Sequence, residues 1–230
     1  MLIVLLCDKI LVVIIMRLRN VKNKEEILNS SSYLVKNPED YIGKWKNFFH
    51  NDNPIYIEIG MGKGKFIIDN ALKYPNINFI GIEKFDSVVA RCLPKIPEGI
   101  GNLAIVRMDA NNIDKVFFKE VERIYLNFSD PWPKVRHASR RLSSKVFLDK
   151  YDNVFVSDCE IWMRTDNRDL YIYSLMSFSE NGYVLSDISF DLHNDVKEEL
   201  ITTEYEDKFS NKGLPIYAVR AIKKSVQNSK

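Results

Sequence analysis

The sequence is poor in the residues that build disulfide frameworks and metal sites. It contains three cysteines and three histidines in 230 residues. Cys7, Cys92 and Cys159 are odd in number and show no CxxC spacing, which argues against a disulfide scaffold or a zinc site. The histidines are scattered without a metal-ligand rhythm. We therefore expect no metal, and a chain that works in a reducing compartment such as the cytoplasm.

Long apolar runs are also scarce. Residues 1–15 (MLIVLLCDKILVVII) are the most hydrophobic stretch, but they are too short to span a bilayer and are interrupted by Asp8 and Lys9. They lack the basic start and small-residue cleavage site of a secretory signal. Because polar, basic text follows Met16 at once, we expect translation to start there and residues 1–15 to be a non-native or mis-annotated extension. A core-docking helix and a weak membrane anchor are the alternatives; we expect no membrane partner.

Repeats and proline- or glycine-rich linkers are absent as well, so one domain is the default. The hydrophobic share of 46% and the charged share of 28% are those of a globular protein. We predict a basic tail and a helix over residues 16–53, followed by one domain over residues 54–230.

That domain alternates between two kinds of pattern. Short apolar runs predict seven strands, at residues 55–59, 78–82, 103–108, 123–128, 159–164, 183–190 and 216–222. Helical spacing predicts helices at residues 64–74, 86–93, 143–155 and 167–180. The alternation indicates an α/β fold with a mostly parallel seven-stranded sheet and helices on both faces. Ligands of such sheets bind at the carboxyl ends of the strands.

The first predicted strand runs into a glycine-rich loop, Glu58-Ile-Gly-Met-Gly-Lys-Gly64. Glycines let the backbone turn tightly and approach a ligand closely. The spacing is GxGxG, whereas dinucleotide sites use GxGxxG. Glu58, directly before Gly60 and Gly62, would repel a diphosphate but suits a ligand that carries an ammonium or a sulfonium. The loop therefore favours S-adenosylmethionine over NAD.

Acidic residues also end the next two strands. Glu83 ends the second strand, where an acid can accept hydrogen bonds from ribose hydroxyls. Asp109, followed by Ala110, ends the third strand and could bind an adenine amino group. Either acid alone could be an exposed strand-end cap, but together with the glycine loop they favour a cofactor site.

The fourth strand runs into Ser129-Asp-Pro-Trp-Pro-Lys134. The two prolines exclude a helix, so we predict a rigid loop at the ligand edge of the sheet. Its carboxylate, its flat aromatic ring and its lysine could accept the N–H groups of a base, stack on it and meet a phosphate. The alternative is that Trp132 packs under the turn and Asp130 serves as a cap.

A concentrated basic stretch follows this loop. Residues 134–145 contain no acid, although the whole chain carries a net charge of only +2. Its five cations are Lys134, Arg136, Arg140, Arg141 and Lys145. Such a patch indicates an anionic partner such as a phosphate backbone, with a solvated loop as the alternative.

Taken together, these motifs resemble those of the bacterial tRNA (guanine-N7-)-methyltransferases, which are class I S-adenosylmethionine-dependent enzymes. The matching text is EIGMGKG (58–64), GIEK (81–84), DA (109–110), SDPWPK (129–134), RH..RRL (136–142), TDN (165–167) and TEYEDKF (203–209). The likeness runs from about Met16 to the last strand, and SDPWPK together with TEYE is its most specific part. It implies a Rossmann-like fold, S-adenosylmethionine as cofactor, and methylation of N7 of a variable-loop guanosine in tRNA. We expect a cytoplasmic monomer or homodimer.

The resemblance also implies roles for individual residues. Cofactor-binding positions are Glu58, Gly60, Gly62, Glu83, Asp109, Ala110 and Asp130, and Asp130 is also the catalytic position. Substrate-binding positions are Lys134, Asp166, Thr203, Glu204, Tyr205 and Glu206. RNA-binding positions are Arg136, His137, Arg140 and Arg141. Val135 and Ser139 stand where the family usually has further cations.

Three other functions are less favoured by the sequence. A methyltransferase of the same fold that acts on an exocyclic amine would carry an Asn/Asp-Pro-Pro-aromatic text after the fourth strand, whereas here Trp132 lies between the prolines. An RNA-binding module that has lost its activity would not need Glu58 and Glu83. An NAD-dependent dehydrogenase would need the GxGxxG loop.

Overall fold

The computed structural model describes residues 21–196, 200–210 and 213–224. The expected extension 1–15, the expected start at Met16 and the last residues of the predicted domain, 225–230, lie outside these ranges.

Helices and strands alternate along the described chain. The strands are β1 (Leu34–Val35), β2 (Ile55–Ile59), β3 (Asn78–Glu83), β4 (Leu103–Arg107), β5 (Val121–Asn127), β6 (Cys159–Thr165), β7 (Val184–Ser189) and β8 (Tyr217–Lys223). The helices are α1 (Lys24–Ser30), α2 (Trp45–Phe49), α3 (Lys65–Lys73), α4 (Asp86–Cys92), α5 (Lys145–Val154), α6 (Arg168–Glu180), α7 (Leu192–Asp195) and α8 (Glu204–Ser210). Short 3-10 helices cover Pro38–Tyr41, Leu93–Lys95, Ala110–Lys115 and Val135–Arg140.

The strands form one sheet in the order β1-β4-β3-β2-β5-β6-β8-β7. The paired strands run parallel except where β8 lies antiparallel to β6 and β7. This confirms the predicted α/β class and the mostly parallel sheet, but the expected number of seven strands is one too low. The additional strand, β1, has two residues that pair with Ile105 and Val106 at the sheet edge, too few to leave an alternating pattern.

Helices cover both faces of the sheet, as predicted. Successive strand residues point to opposite faces. Ile80 therefore belongs to the apolar layer that contains Tyr151 and Phe178, from α5 and α6, whereas its neighbour Phe79 belongs to the layer that contains Ile67, from α3. β2 lies in the middle of this sandwich, between β3 and β5, where the strand order reverses. The carboxyl end of β2 is thus the switch point at which doubly wound sheets bind their ligands.

Candidate active site

The loop after β2 adopts a backbone that needs glycine. Gly60, Gly62 and Gly64 have φ angles of 82°, 57° and 83°, in the left-handed region. A Cβ at Gly64 would also collide with the side chain of Cys92. The N–H groups of Gly60 and Met61 both donate to the carbonyl of Ile82, at 2.8 and 3.0 Å, which fixes the loop to the end of β3.

A cavity of about 270 Å³ opens beside this loop. Its wall is made by the loop itself, by the carboxyl ends of β2 and β5, and by the first residues of α8. The predicted positions that line it are Glu58, Gly60, Gly62, Thr203, Glu204 and Tyr205. Sequence regions that are far apart in the chain therefore meet at one cavity, at the edge of the sheet where the prediction placed the ligand.

Glu58 is buried in this wall with one of its two carboxylate oxygens unpartnered. Its side chain is 1% exposed. Oε1 accepts a hydrogen bond from Nδ2 of Asn127 at 2.9 Å, while Oε2 has no hydrogen-bond partner in the described part of the chain. Burial raises the pKa of Glu58 to about 7, against the lowering effect of Asn127 and Arg164. An unsatisfied buried oxygen is costly, and a cationic group in the cavity would satisfy it.

Asn127 is a site residue that the sequence analysis missed. It is the last residue of β5, directly before the Phe128-Ser-Asp130 turn, and it is 6% exposed. Its position at the end of the strand next to β2 was the available signal, since parallel neighbours bring their carboxyl ends to the same edge.

Glu83 binds the glycine loop directly. Its carboxylate accepts hydrogen bonds from the backbone N–H groups of Gly62 (3.2 Å), Lys84 (2.8 Å) and Phe85 (3.0 Å). Burial raises the pKa of Glu83, the three N–H groups lower it, and the charge of Asp130 raises it. A carboxylate offers about four acceptor positions, so one is left for a ligand hydroxyl. Glu83 is not among the residues that line the cavity.

Asp109 and Ala110 are not among the residues that line the cavity either. Asp109 begins a 3-10 helix and accepts hydrogen bonds from Asn111 N at 2.9 Å and from Lys84 Nζ at 2.6 Å. Although partial burial raises the pKa of Asp109, these hydrogen bonds lower it overall, so the group is ionised at neutral pH. Ala110 is partly buried and packs against the main apolar cluster.

The loop with Asp130 has an unusual backbone. Phe128 and Trp132, on either side of Asp130, have φ angles of 52° and 41°. Bulky residues in this region cost about 1–3 kcal/mol each, and they persist only where surrounding contacts hold them. Asp130 itself is exposed and does not line the cavity, but its charge acts on Glu83, whose charge acts in turn on Glu58. The charges of the three acids therefore influence one another in sequence, although only Glu58 lines the cavity.

The basic stretch after this loop forms the 3-10 helix Val135–Arg140, which leaves Lys134, Arg136 and Arg140 exposed. The guanidinium of Arg140 lies over the Trp132 ring at 4.9 Å. Partial desolvation and the charges of Arg140, Arg136 and Lys134 lower the pKa of His137, so its imidazole is neutral at neutral pH. The surface thus presents cations beside a flat aromatic ring, an arrangement suited to nucleic acid.

Helix α8 begins with a capping box. Thr203 Oγ1 accepts a hydrogen bond from the N–H of Glu206 at 2.9 Å, and Glu206 Oε2 accepts one from the N–H of Thr203 at 3.3 Å. This reciprocal pair satisfies two N–H groups at the start of the helix. The Thr-x-x-Glu part of the TEYE text is therefore a local folding signal.

Charged and aromatic contacts fix α8 over the glycine loop. Glu204 pairs with Lys63 at 2.9 Å and with Lys95. Tyr205 packs against Phe128 with ring centroids 5.0 Å apart, and its hydroxyl donates to Asp166 Oδ2 at 3.0 Å. The predicted substrate positions Asp166, Glu204 and Tyr205 are thus joined to the cofactor side of the site.

Glu206 behaves differently from the other predicted substrate positions. Its side chain is 0% exposed and does not reach the cavity wall. It lies 3.3 Å from Arg164 Nη1 and 3.1 Å from His193 Nε2. The capping box turns this carboxylate back into the protein, so the geometry gives Glu206 a structural role and does not support direct contact with a substrate.

No group of three or more His, Cys, Asp and Glu side chains in the described part of the chain is arranged to hold a metal ion. None of the described helices is long and apolar enough to cross a membrane.

Known proteins similar to this chain are methyltransferases. A family model described as "Putative methyltransferase" matches residues 52–219. The tRNA (guanine-N(7)-)-methyltransferase of Lachnoclostridium phytofermentans is 49% identical over 211 residues, which cover 90% of this chain and 99% of that protein. The protein of the same name from Bacillus cytotoxicus is 50% identical over 199 residues, covering 86% of this chain and 92% of that one.

Among solved structures, that of the 16S rRNA methyltransferase KamB matches with a TM-score of 0.61 at 11% identity. The match covers 80% of this chain and 94% of that one. At such low identity the likeness concerns the fold, which agrees with the Rossmann-like class that the family resemblance implied.

Proposed function

This chain belongs to the tRNA (guanine-N(7)-)-methyltransferase family and uses S-adenosylmethionine as its methyl donor, and we propose that its target is a guanosine in the variable loop of tRNA. The buried Glu58 carboxylate is the main support for a cofactor site at these residues. Its Oε2 has no hydrogen-bond partner among the described residues. The ammonium of S-adenosylmethionine fits this position because it supplies both a positive charge and N–H donors. Gly60 and Gly62 leave room for close backbone approach, and Glu83 offers an acceptor for ribose hydroxyls.

When bound, S-adenosylmethionine supplies a methyl group on a positively charged sulfonium. N7 of guanine carries a free lone pair, so its methylation requires no deprotonation and no general base. As N7 is methylated, positive charge grows on the guanine ring. Asp130 lies at the edge of the site, where its fixed negative charge favours that developing cation and can align the ring N–H groups. We therefore assign Asp130 an electrostatic and aligning role.

The acceptor side is formed by residues around this loop. Asp166, held by the Tyr205 hydroxyl, and Thr203 and Glu204 at the start of α8 supply polar groups for the guanine. Lys134, Arg136 and Arg140 are exposed for phosphate contacts, and neutral His137 adds a ring. N7 lies in the major groove, which is too narrow in A-form RNA for side chains to enter. The enzyme must therefore take a loop base or displace a paired one.

The product identifies the function directly. Unmodified bulk tRNA incubated with the protein and methyl-labelled S-adenosylmethionine is expected to yield labelled N7-methylguanosine after nuclease digestion, and mapping is expected to place it in the variable loop. A tRNA whose variable-loop guanosine is changed to adenosine is the matched control and should accept no label. Label in an N2-methylguanosine or an N6-methyladenosine would instead assign the exocyclic-amine chemistry.

Cofactor affinity is expected to depend on pH. Because the pKa of Glu58 is raised to about 7, the cofactor-free protein holds a proton there at pH 6 that must leave before the ammonium can pair. The Kd for S-adenosylmethionine should therefore rise about tenfold for each pH unit below 7 and level off above it. An α-amino group ionises at about 7.7–8.0, so titration calorimetry between pH 5.5 and 7.5 isolates the carboxylate. The same data should show proton release near pH 6; a constant Kd across that range would contradict the assignment.

A further inference from the structure

We propose that Arg141 is a positioning residue that holds the Asp130 loop in its reactive shape, and that it does not bind tRNA phosphates. The inference rests on the proposed function, because it concerns the loop that presents Asp130 to the guanine. It differs from the RNA-binding role that the family resemblance implied for Arg141.

The guanidinium of Arg141 is already engaged within the protein. Nε donates to the carbonyl of Pro131 at 3.0 Å, and Nη2 donates to the carbonyl of Trp132 at 3.1 Å. The same group lies over the ring of Tyr173 in α6, 4.2 Å from its centre. A planar guanidinium offers parallel N–H donors in a fixed fork, which matches two successive carbonyls and an aromatic face at once. Its contacts connect the loop to a helix that packs on the sheet.

These two carbonyls lie where the loop needs support. They belong to Pro131 and Trp132, the residues that follow Asp130, and Trp132 has the left-handed φ of 41°. A strained backbone keeps its conformation only when surrounding contacts fix it. Arg141 supplies two hydrogen bonds to this turn, so its loss should let Asp130 move while the cavity around Glu58 stays intact.

The neighbouring arginines are placed differently. Arg136 and Arg140 are exposed, whereas Arg141 is half-buried, with its donors directed at the loop. A phosphate contact contributes to the salt dependence of binding, and an internal brace does not. The basic stretch therefore contains exposed cations that are available to RNA and an arginine, Arg141, whose N–H groups donate to the loop.

The test compares R141Q and R141K with R136Q. For R141Q we expect kcat to fall about 100-fold, as for a displaced catalytic group, with S-adenosylmethionine Kd and tRNA KM within about threefold of wild type. The slope of log K for tRNA against log salt should stay at the wild-type value. R141K keeps one donor, so its kcat should fall about tenfold, to a value between those of wild type and R141Q. R136Q should instead weaken tRNA binding and lower the slope by about 0.7–0.9.

A slope for R141Q that falls as in R136Q would overturn the proposal, because Arg141 would then be a phosphate contact. A wild-type kcat in R141K or R141Q would overturn it as well, and should R141Q fail to fold, R141K decides alone. Failure of the proposed function is distinguishable, since the wild-type protein would then make no N7-methylguanosine. The salt slopes measured with unmodified tRNA would still discriminate between the two roles of Arg141.

Discussion

Replacement of Glu58 by glutamine is expected to weaken cofactor binding strongly and to make the cofactor-free protein more stable, relative to wild type, as the pH rises. The loss of affinity should reach at least about a hundredfold, roughly 3 kcal/mol, because a buried cation would lose the carboxylate with which it pairs. The stability effect follows from the raised pKa of about 7. A carboxyl group with a raised folded pKa stabilises the protein fully below its unfolded pKa, and that contribution is lost as the pH rises through 7.

Denaturant unfolding at pH 5 and pH 8 measures this directly. The stability of E58Q relative to wild type should increase between these values by up to about 3 kcal/mol, the equivalent of the pKa shift. Saturating S-adenosylmethionine should stabilise wild type and leave E58Q unchanged. Glu122, exposed in the neighbouring strand β5, provides the control, because E122Q should alter neither property. Equal binding by E58Q and wild type would refute the assignment of Glu58 to the cofactor.

Replacement of Asp130 by asparagine is expected to lower turnover about 100- to 1000-fold, the usual loss when one group that stabilises transition-state charge is removed. The change keeps shape and removes charge, so the Kd for S-adenosylmethionine and the KM for tRNA should change little. In kinetic terms kcat and kcat/KM should fall together, which marks an interaction made in the transition state. Steady-state methylation of unmodified tRNA measures both parameters.

The matched control for Asp130 is Asp40, an exposed aspartate of the Pro38–Tyr41 turn. D40N should turn over at the wild-type rate. An unchanged kcat in D130N would contradict the proposed electrostatic role of Asp130. A loss confined to the KM for tRNA would reassign Asp130 to ground-state binding of the base.

Much of the fold followed from local patterns in the sequence. The buried strands are apolar runs such as Ile55–Ile59, and the acids at their ends predict the edge of the sheet at which a ligand binds. β1 was not predicted because a strand of two residues is too short to show an alternating pattern. Its pairing with β4 is set by tertiary contacts.

The site was predicted less completely, since residue type and spacing do not say which way a side chain points. Glu206 and Arg141 look like surface residues in the sequence, one in an acidic motif and one in a basic run. In the structure Glu206 is buried as part of a capping box. Arg141 donates to two loop carbonyls and packs against Tyr173. Asn127 was missed because its role depends on which strand lies beside β2.

Helix α8 gives the enzyme one shared wall for two ligands. Tyr205 lines the cofactor cavity and also holds Asp166 on the acceptor side. Under the proposed assignments, we expect a shift of α8 on binding of one ligand to change the affinity for the other. By thermodynamic reciprocity, methyl donor and tRNA would then alter each other's binding by the same factor.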